Sequence, residues 1–342
     1  MRIGVINWDC ALPEDTYFGH YAITSLSNPA YKDRIPYYAE IVNDHRISFP
    51  RKTQEEFDRE LTYAIEAGID YFAYTWYTDE KIPDDQITGH DQGNCVDGKL
   101  WELGWARHLH MQSALRDKIG MCAILICMHR YLDSDFAKLA EAMKEPYYEK
   151  IDGRPVVCLF GGYRTDYIER LRRFPEDFGC ADPYIVFFNN GGPQAADYTA
   201  AEAVSAYACC RSQITDYAYL IERNISDNET RKKFGVRILP HFTMGWNPMP
   251  RVDNPVPWTN YPRTDYAHPA DAADTEAGAK ALADWILANR DVTVPGHILT
   301  FAWNEFEEGG YICPTRGADG GICTDHLENF ANAVRYWKEV LD

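Results

Sequence analysis

Eight short runs rich in β-branched and aromatic residues recur along the chain, at residues 3–8, 71–76, 121–128, 156–160, 184–189, 204–209, 236–242 and 298–303. Segments with helical periodicity lie between them, which is the pattern of repeated β-α units and a parallel sheet. The helical segments carry recognisable boundaries. Thr53-Gln54-Glu55-Glu56 is a capping sequence for a helix running to Ala67, with Gly68 as its stop, and Ser134-Asp135 opens one that reaches about Glu149. Thr165 begins another, residues 212–233 form a long polar-faced segment, and Thr275-Glu276 opens a helix through Asn289. A closing helix from about Asp325 to Leu341 covers the outer wall. Eight such units in this order predict an α/β fold, a (β/α)8 TIM barrel formed as one domain over residues 1–342. The alternative is an open doubly wound sheet, for which no Gly-rich nucleotide turn is present.

Proline and glycine gather in long connections at 28–50, 79–99, 245–271 and 309–321. Loops beyond about 12–15 residues are uncommon unless they serve a function. Three of the four directly follow a strand, which places long βα loops at the C-terminal face, where barrels of this kind carry their chemistry.

Charge excludes several classes of partner. With 34 basic and 52 acidic residues the formal charge is −18, so phosphate backbones and anionic lipid surfaces are repelled and neither nucleic acid nor a membrane is expected as a partner. The N-terminal segment lacks the long apolar stretch of a signal peptide, so the expected location is cytoplasmic, with export as the alternative if a signal has been removed. Of the ten cysteines, Cys122, Cys127 and Cys158 lie in apolar runs as small hydrophobes, and Cys313 with Cys323 is the one candidate loop disulfide. No C-x-x-C pair occurs, and no metal or other cofactor is expected. Asp133-Ser134-Asp135 has the form of a metal-binding D-x-D, but it stands where a helix begins and is read as a cap. His108 and His110 are read as structural, because two residues apart on a helix they face different sides. Aromatic residues make up 14% of the chain, with 23 Tyr and 9 Trp; flat rings of this kind stack on the C–H faces of sugars, so the excess fits an oligosaccharide or polysaccharide substrate.

The strand ends sharpen that reading. Strand one ends at Trp8 and Asp9, strand two at Trp76 and Tyr77, strand three at His129, and strand five at Asn189. Strand six carries Tyr207, and strand seven carries His241, followed by Trp246, Asn247 and Arg251. Strand eight ends Trp303-Asn304-Glu305-Phe306-Glu307-Glu308-Gly309-Gly310. Glycosidic cleavage needs a proton for the departing oxygen and an anionic group near the anomeric carbon, and a pair of carboxyls can supply both. Glu305 and Glu308, three apart at a strand-to-loop turn, are the expected catalytic pair. Arg251 with Asn247 is a candidate grip on a substrate carboxylate, sulfate or hydroxyl.

The segment Trp303-Asn304-Glu305-Phe306-Glu307-Glu308-Gly309 resembles the W-N-E-W-x-E-G signature of the glycoside hydrolase family 99 and WbsX-like superfamily, which includes retaining endo-α-mannosidases. Phe18-Gly19-His20-Tyr21, Ala67-Gly68-Ile69-Asp70-Tyr71, Ile151-Asp152-Gly153-Arg154-Pro155-Val156 and Gly245-Trp246-Asn247 through Pro250-Arg251 extend the resemblance over most of the chain. It adds His20 and Tyr21 to the candidate substrate-binding residues. It implies a retaining hydrolase cleaving an α-glycosidic, α-mannosidic bond. Within it Glu305 would act as base on the sugar 2-hydroxyl and Glu308 as acid/base. Phe306 replaces the usual Trp, and Glu307 stands where the mannosidases have His, which leaves the substrate open. Two other functions compete: a WbsX-like glycosyltransferase of polysaccharide biosynthesis, which would need a nucleotide-sugar site, and a non-catalytic sugar-binding barrel.

Overall fold

The computed structural model describes residues 1–8, 12–78, 103–126, 128, 131–161, 165–189, 200–209 and 213–342. Its strands are β1 (Arg2–Asn7), β2 (Tyr71–Trp76), β3 (Gly120–Leu125), β4 (Arg154–Leu159), β5 (Tyr184–Phe188), β6 (Ala203–Ser205), β7 (Arg237–Ile238, resuming at His241–Thr243) and β8 (His297–Phe301). Each pairs in parallel with the next, and β8 returns to β1 through registers such as Gly4 with Leu299. Closure passes through β7, whose first half pairs with β6 and whose second half pairs with β8. Pro240 makes the break, because it has no N–H to donate to a ladder. The flanking bonds carry the sheet across: the Leu239 N–H donates to the Val204 carbonyl and the Leu299 N–H to the Pro240 carbonyl, both at 2.9 Å. The eight strands therefore form a TIM-like barrel, as expected.

Burial explains why these segments became strands. Every residue of β2, β3 and β5 is buried, and the large side chains fill the barrel rather than a sheet surface. Gly4 on β1 is part of that packing. The Tyr71 ring lies 2.1 Å from where a Cβ at position 4 would sit, so only glycine admits the ring.

The helices are α1 (Tyr17–Leu26), α2 (Gln54–Glu66), α3 (Trp105–Gln112), α4 (Asp133–Lys144), α5 (Thr165–Arg172), α6 (Phe174–Phe178), α7 (Tyr217–Arg231), α8 (Met249–Asp253), α9 (Ala272–Ala288) and α10 (Asp325–Leu341). The Thr53 cap forms as a reciprocal box with Glu56, and α10 matches its expected span. The α4 helix stops at Lys144 instead of near Glu149. Pro146 follows Glu145 and forces it into an extended conformation, with ψ of 141°. At the other end of the same helix, Asp135 accepts hydrogen bonds from the Thr78 hydroxyl at 2.8 Å and the Leu132 N–H at 2.9 Å, so the D-x-D segment is a helix start. The α9 helix begins three residues early because Asp271 caps it.

Cys313 and Cys323, the candidate pair, do not form a disulfide. Both are free thiols. Cys323 stands opposite Thr315 in a two-stranded ribbon, beyond Cys313, which is fully buried. His110 is buried, bonded to the Tyr74 hydroxyl and the Ile119 carbonyl, and burial pushes its pKa down to about 4. No described helix is long and apolar enough to cross a membrane.

Candidate active site

The residues just after β8 are pinned to β1 before they turn. The Asn304 amide donates to the Trp8 carbonyl at 2.6 Å and to Asn7 Oδ1 at 3.1 Å, and its own oxygen accepts from the Trp8 N–H at 2.9 Å. Trp303 is fully buried and donates its indole N–H to Glu60 of α2 at 2.7 Å. Glu60 in turn holds Lys52 at 2.6 Å, an ion pair almost wholly withdrawn from water. From this anchored base the chain folds into a tight antiparallel turn, with Glu305 opposite Gly310 and the Glu308 N–H on the Glu305 carbonyl at 3.1 Å. Gly309, at φ +73°, makes the reversal possible.

Both Glu305 and Glu308 reach one cavity of about 130 Å³ at the C-terminal end of the barrel. Trp8, Tyr77, Phe160, Tyr207, Trp246, Trp258, Tyr261 and Arg251 share its wall. Tyr207 donates its hydroxyl to Glu305 at 2.7 Å, and Tyr261 donates to Glu308 at 2.6 Å. The Arg251 guanidinium bonds Glu308, lies 3.4 Å from Glu307 and 3.7 Å from Glu305, and sits over the Trp8 ring at 4.8 Å. One buried cation thus serves three buried carboxyls.

That imbalance has an electrostatic result. Burial, then the charge of Glu308, push the Glu305 carboxyl well above the ordinary carboxylate range, against the opposing pull of Arg251 and the Tyr207 hydroxyl. A carboxyl whose folded pKa is raised binds its proton more tightly when folded. Its stabilising state is therefore fully populated below the unfolded value near 4.5 and is lost as pH rises toward the folded value. Glu305→Gln, which mimics the protonated form, is expected to unfold at a higher temperature than the parent at pH 7, with the gap closing below pH 4.5. Thermal melts across that range check it; an equal or lower melting temperature at pH 7 would refute the electrostatic account.

Of the sequence-selected residues, Trp8, Tyr77, Tyr207, Trp246, Arg251, Glu305 and Glu308 meet at this cavity. Others stand behind it. His241 is fully buried beneath Tyr207, donating to that residue's carbonyl at 3.0 Å, and burial together with the nearby Arg231 pushes its pKa down to about 3. It is a neutral post, away from the cavity wall. Trp303 and Asn304 brace the turn as described. Asn247 contributes its backbone N–H to the Glu308 carbonyl at 2.6 Å. The Asn189 carbonyl accepts from Arg231 at 2.9 Å, and Trp76 is buried under the Arg107 guanidinium at 3.8 Å. His20 is exposed on α1, while Tyr21 packs edge-on against the back of Trp258 at 5.4 Å. Asp9 and His129 lie outside the described residues.

Sequence reasoning missed Phe18, Phe160, Trp258 and Tyr261. Trp258 and Tyr261 had a signal: two large aromatics in a proline-punctuated loop have no strand or helix face to explain them. Cys209 packs, with its sulfur 3.7 Å from the Leu220 carbonyl. Among the described residues no group of three or more His, Cys, Asp or Glu is placed to hold a metal ion.

Two solved structures of an endo-α-mannosidase of glycoside hydrolase family 99 from Bacteroides thetaiotaomicron, one of them in complex with bis-tris-propane, are similar to this chain. Each superposes with a TM-score of 0.58 at 12% sequence identity, over 99% of this chain and 98% of the other. At that identity the likeness establishes the barrel fold. No family model and no curated protein matches the sequence.

Proposed function

We propose that this chain is a retaining glycoside hydrolase that cleaves an α-glycosidic bond of mannosidic type in an oligo- or polysaccharide, with Glu305 and Glu308 as its catalytic residues. The observation that carries the reading is the meeting of these two carboxyls in one aromatic-walled cavity, bridged by a buried arginine. Aromatic faces suit the C–H faces of a pyranose, and the carboxyls supply the proton and the negative charge that cleavage needs. The strand-eight motif and the name of the structural neighbour both point to an α-mannoside.

In this mechanism Glu305 draws the proton of the sugar 2-hydroxyl. Burial and the charge of Glu308 raise its proton affinity, so its ionised form is a stronger base than an ordinary carboxylate. Tyr207 holds it in place. The 2-oxygen then forms a bond to the anomeric carbon as the glycosidic bond breaks, and Glu308 passes a proton to the departing oxygen. Water, deprotonated by Glu308, opens the resulting 1,2-anhydro ring at the anomeric carbon, and the 2-oxygen recovers its proton from Glu305. Two inversions give net retention. Arg251 balances the charge as the protons move.

The test is turnover of a panel of α-mannosides and of plant and microbial polysaccharides, with NMR of the first-formed anomer. Release of a product with retained configuration is expected. Inverted product would remove the proposed chemistry, and transfer that depends on a nucleotide-sugar would replace hydrolysis with synthesis.

A further inference from the structure

A second, larger cavity of about 620 Å³ lies on the same end of the barrel. Its walls are two ribbons. One pairs Glu40–Asn43 with Arg46–Ser48 in the connection after β1, and the other pairs Thr315–Arg316 with Ile322–Cys323 in the connection after β8. The second connection carries the glutamates, and the first leaves β1, the strand that pairs with β8. The second ribbon is fastened to the segment leading into the first: the Arg316 N–H donates to the Ile35 carbonyl at 2.8 Å, the Tyr37 N–H to the Pro314 carbonyl at 3.1 Å, and Pro36 bridges Thr315. The cleft is therefore built into the closed barrel.

Between the two cavities stand Arg34, Asn247 and Gly309. Arg34 donates to the Asn247 carbonyl at 2.7 Å, and a Cβ at Gly309, the neighbour of Glu308, would come within 2.9 Å of Asn247 and 3.3 Å of the Arg34 guanidinium. The residues flanking Arg34 on the chain, Asp33 and Ile35, line the larger cleft; Glu308, beside Gly309, lines the smaller.

The lining chemistry indicates what the cleft takes. Asn28 and Asn43 each use the amide oxygen to hold a turn, accepting from the Ala30 N–H at 3.0 Å and the His45 N–H at 2.9 Å, which leaves the amide nitrogens to donate outward. Asp33, Asp44 and Lys32 are exposed on the same lining. Two of the cations are already engaged, Arg46 by Glu14 at 2.6 Å and Arg316 by the Ala39 carbonyl. Carboxylates beside a single uncommitted lysine, on a chain of charge −18, disfavour an anionic ligand. Amides and carboxylates around the apolar side chains of Ile35, Ile41 and Ile47 match instead the alternating hydroxyls and C–H patches of a neutral glycan.

We propose that this cleft binds a distal stretch of a neutral glycan chain, more than one sugar residue long, whose scissile bond lies at the neighbouring glutamate cavity. The proposal rests on the glycosidase reading and extends it: the enzyme acts on chains, and chain length is read between the two ribbons. The catalytic cavity, several times smaller, accommodates the reacting ring, and the cleft supplies binding energy remote from the chemistry.

The test uses Ala318→Trp, which places an indole in the cleft from an exposed position, and the pair Lys32→Ala with Asp44→Ala, whose side chains take no part in the glutamate site. Linear α-linked manno-oligosaccharides of two to six residues are titrated into Glu308→Gln protein, with and without each change. Affinity is expected to rise with length in the parent and to lose at least about tenfold for the longest ligand in Ala318→Trp, while kcat/KM for a short aryl α-mannoside stays unchanged in the active background. Length dependence that survives both changes, or an equal loss with the short substrate, overturns the cleft while leaving the hydrolase reading intact. Absence of turnover and binding in the wild type overturns both.

Discussion

Glu308→Gln is expected to lower kcat/KM for natural glycosides by about 10²–10⁴-fold and to leave much of the turnover of a dinitrophenyl glycoside or glycosyl fluoride, whose leaving groups depart without a proton. Glu305→Gln is expected to be damaging with both kinds of substrate, by a similar factor, because assistance at the 2-hydroxyl is needed whatever departs. The neutral amide preserves the size of each side chain, and the aromatic wall of Trp8, Trp246 and Trp258 is untouched, so binding of intact substrate persists in each variant. Steady-state kinetics with paired natural and activated substrates reads this directly. If Glu305→Gln is the variant rescued by the good leaving group, the two roles are exchanged; full activity in both would place the chemistry elsewhere.

The second large effect lies behind the turn rather than in it. Glu60→Ala removes the carboxylate that Lys52, whose side chain is 6% exposed, holds at 2.6 Å, together with the acceptor of the Trp303 indole. Removing one partner of a buried ion pair costs about 3–5 kcal/mol. Denaturant unfolding should show a loss of that size, and activity should fall with it, since Trp303 immediately precedes Asn304 and Glu305. The double change Lys52→Met with Glu60→Met should cost less than Glu60→Ala alone, because no charge is left behind. A Glu60→Ala variant within 1 kcal/mol of the parent would show that water reaches Lys52 and that the pair anchors nothing.

The barrel was legible because its strands are concentrated runs of β-branched and aromatic residues, a signal that survives errors at the boundaries. Where the reading slipped, local chemistry decided: Pro146 ended α4 early, and Pro240 split β7. The turn proposed as catalytic stood out in the sequence because Glu305 and Glu308 lie in a short motif with glycines behind it. The cavity wall was harder, for a geometric reason. Successive residues at a strand end point to opposite sides, so a polar or aromatic cluster there sends some members inward and others back into the packing. Tyr77 reaches the cavity while Trp76 packs beneath Arg107; Glu305 reaches it while its neighbour Asn304 turns back to hold Trp8. His241 faces the interior one layer too low, under Tyr207. Sequence spacing records which residues share a strand end, but not the depth at which each side chain stops.

The amide clasp between Asn304 and Trp8 joins residues 296 positions apart. Contacts of such long range pay their loop-closure entropy late, after local units have formed. Helices and neighbouring strand pairs can assemble from short stretches of chain, but the turn that carries Glu305 and Glu308 takes its shape only when the last strand docks beside the first. Any intermediate lacking the β1–β8 seam is thus well supplied with secondary structure but has not yet built the cavity that Glu305 and Glu308 share.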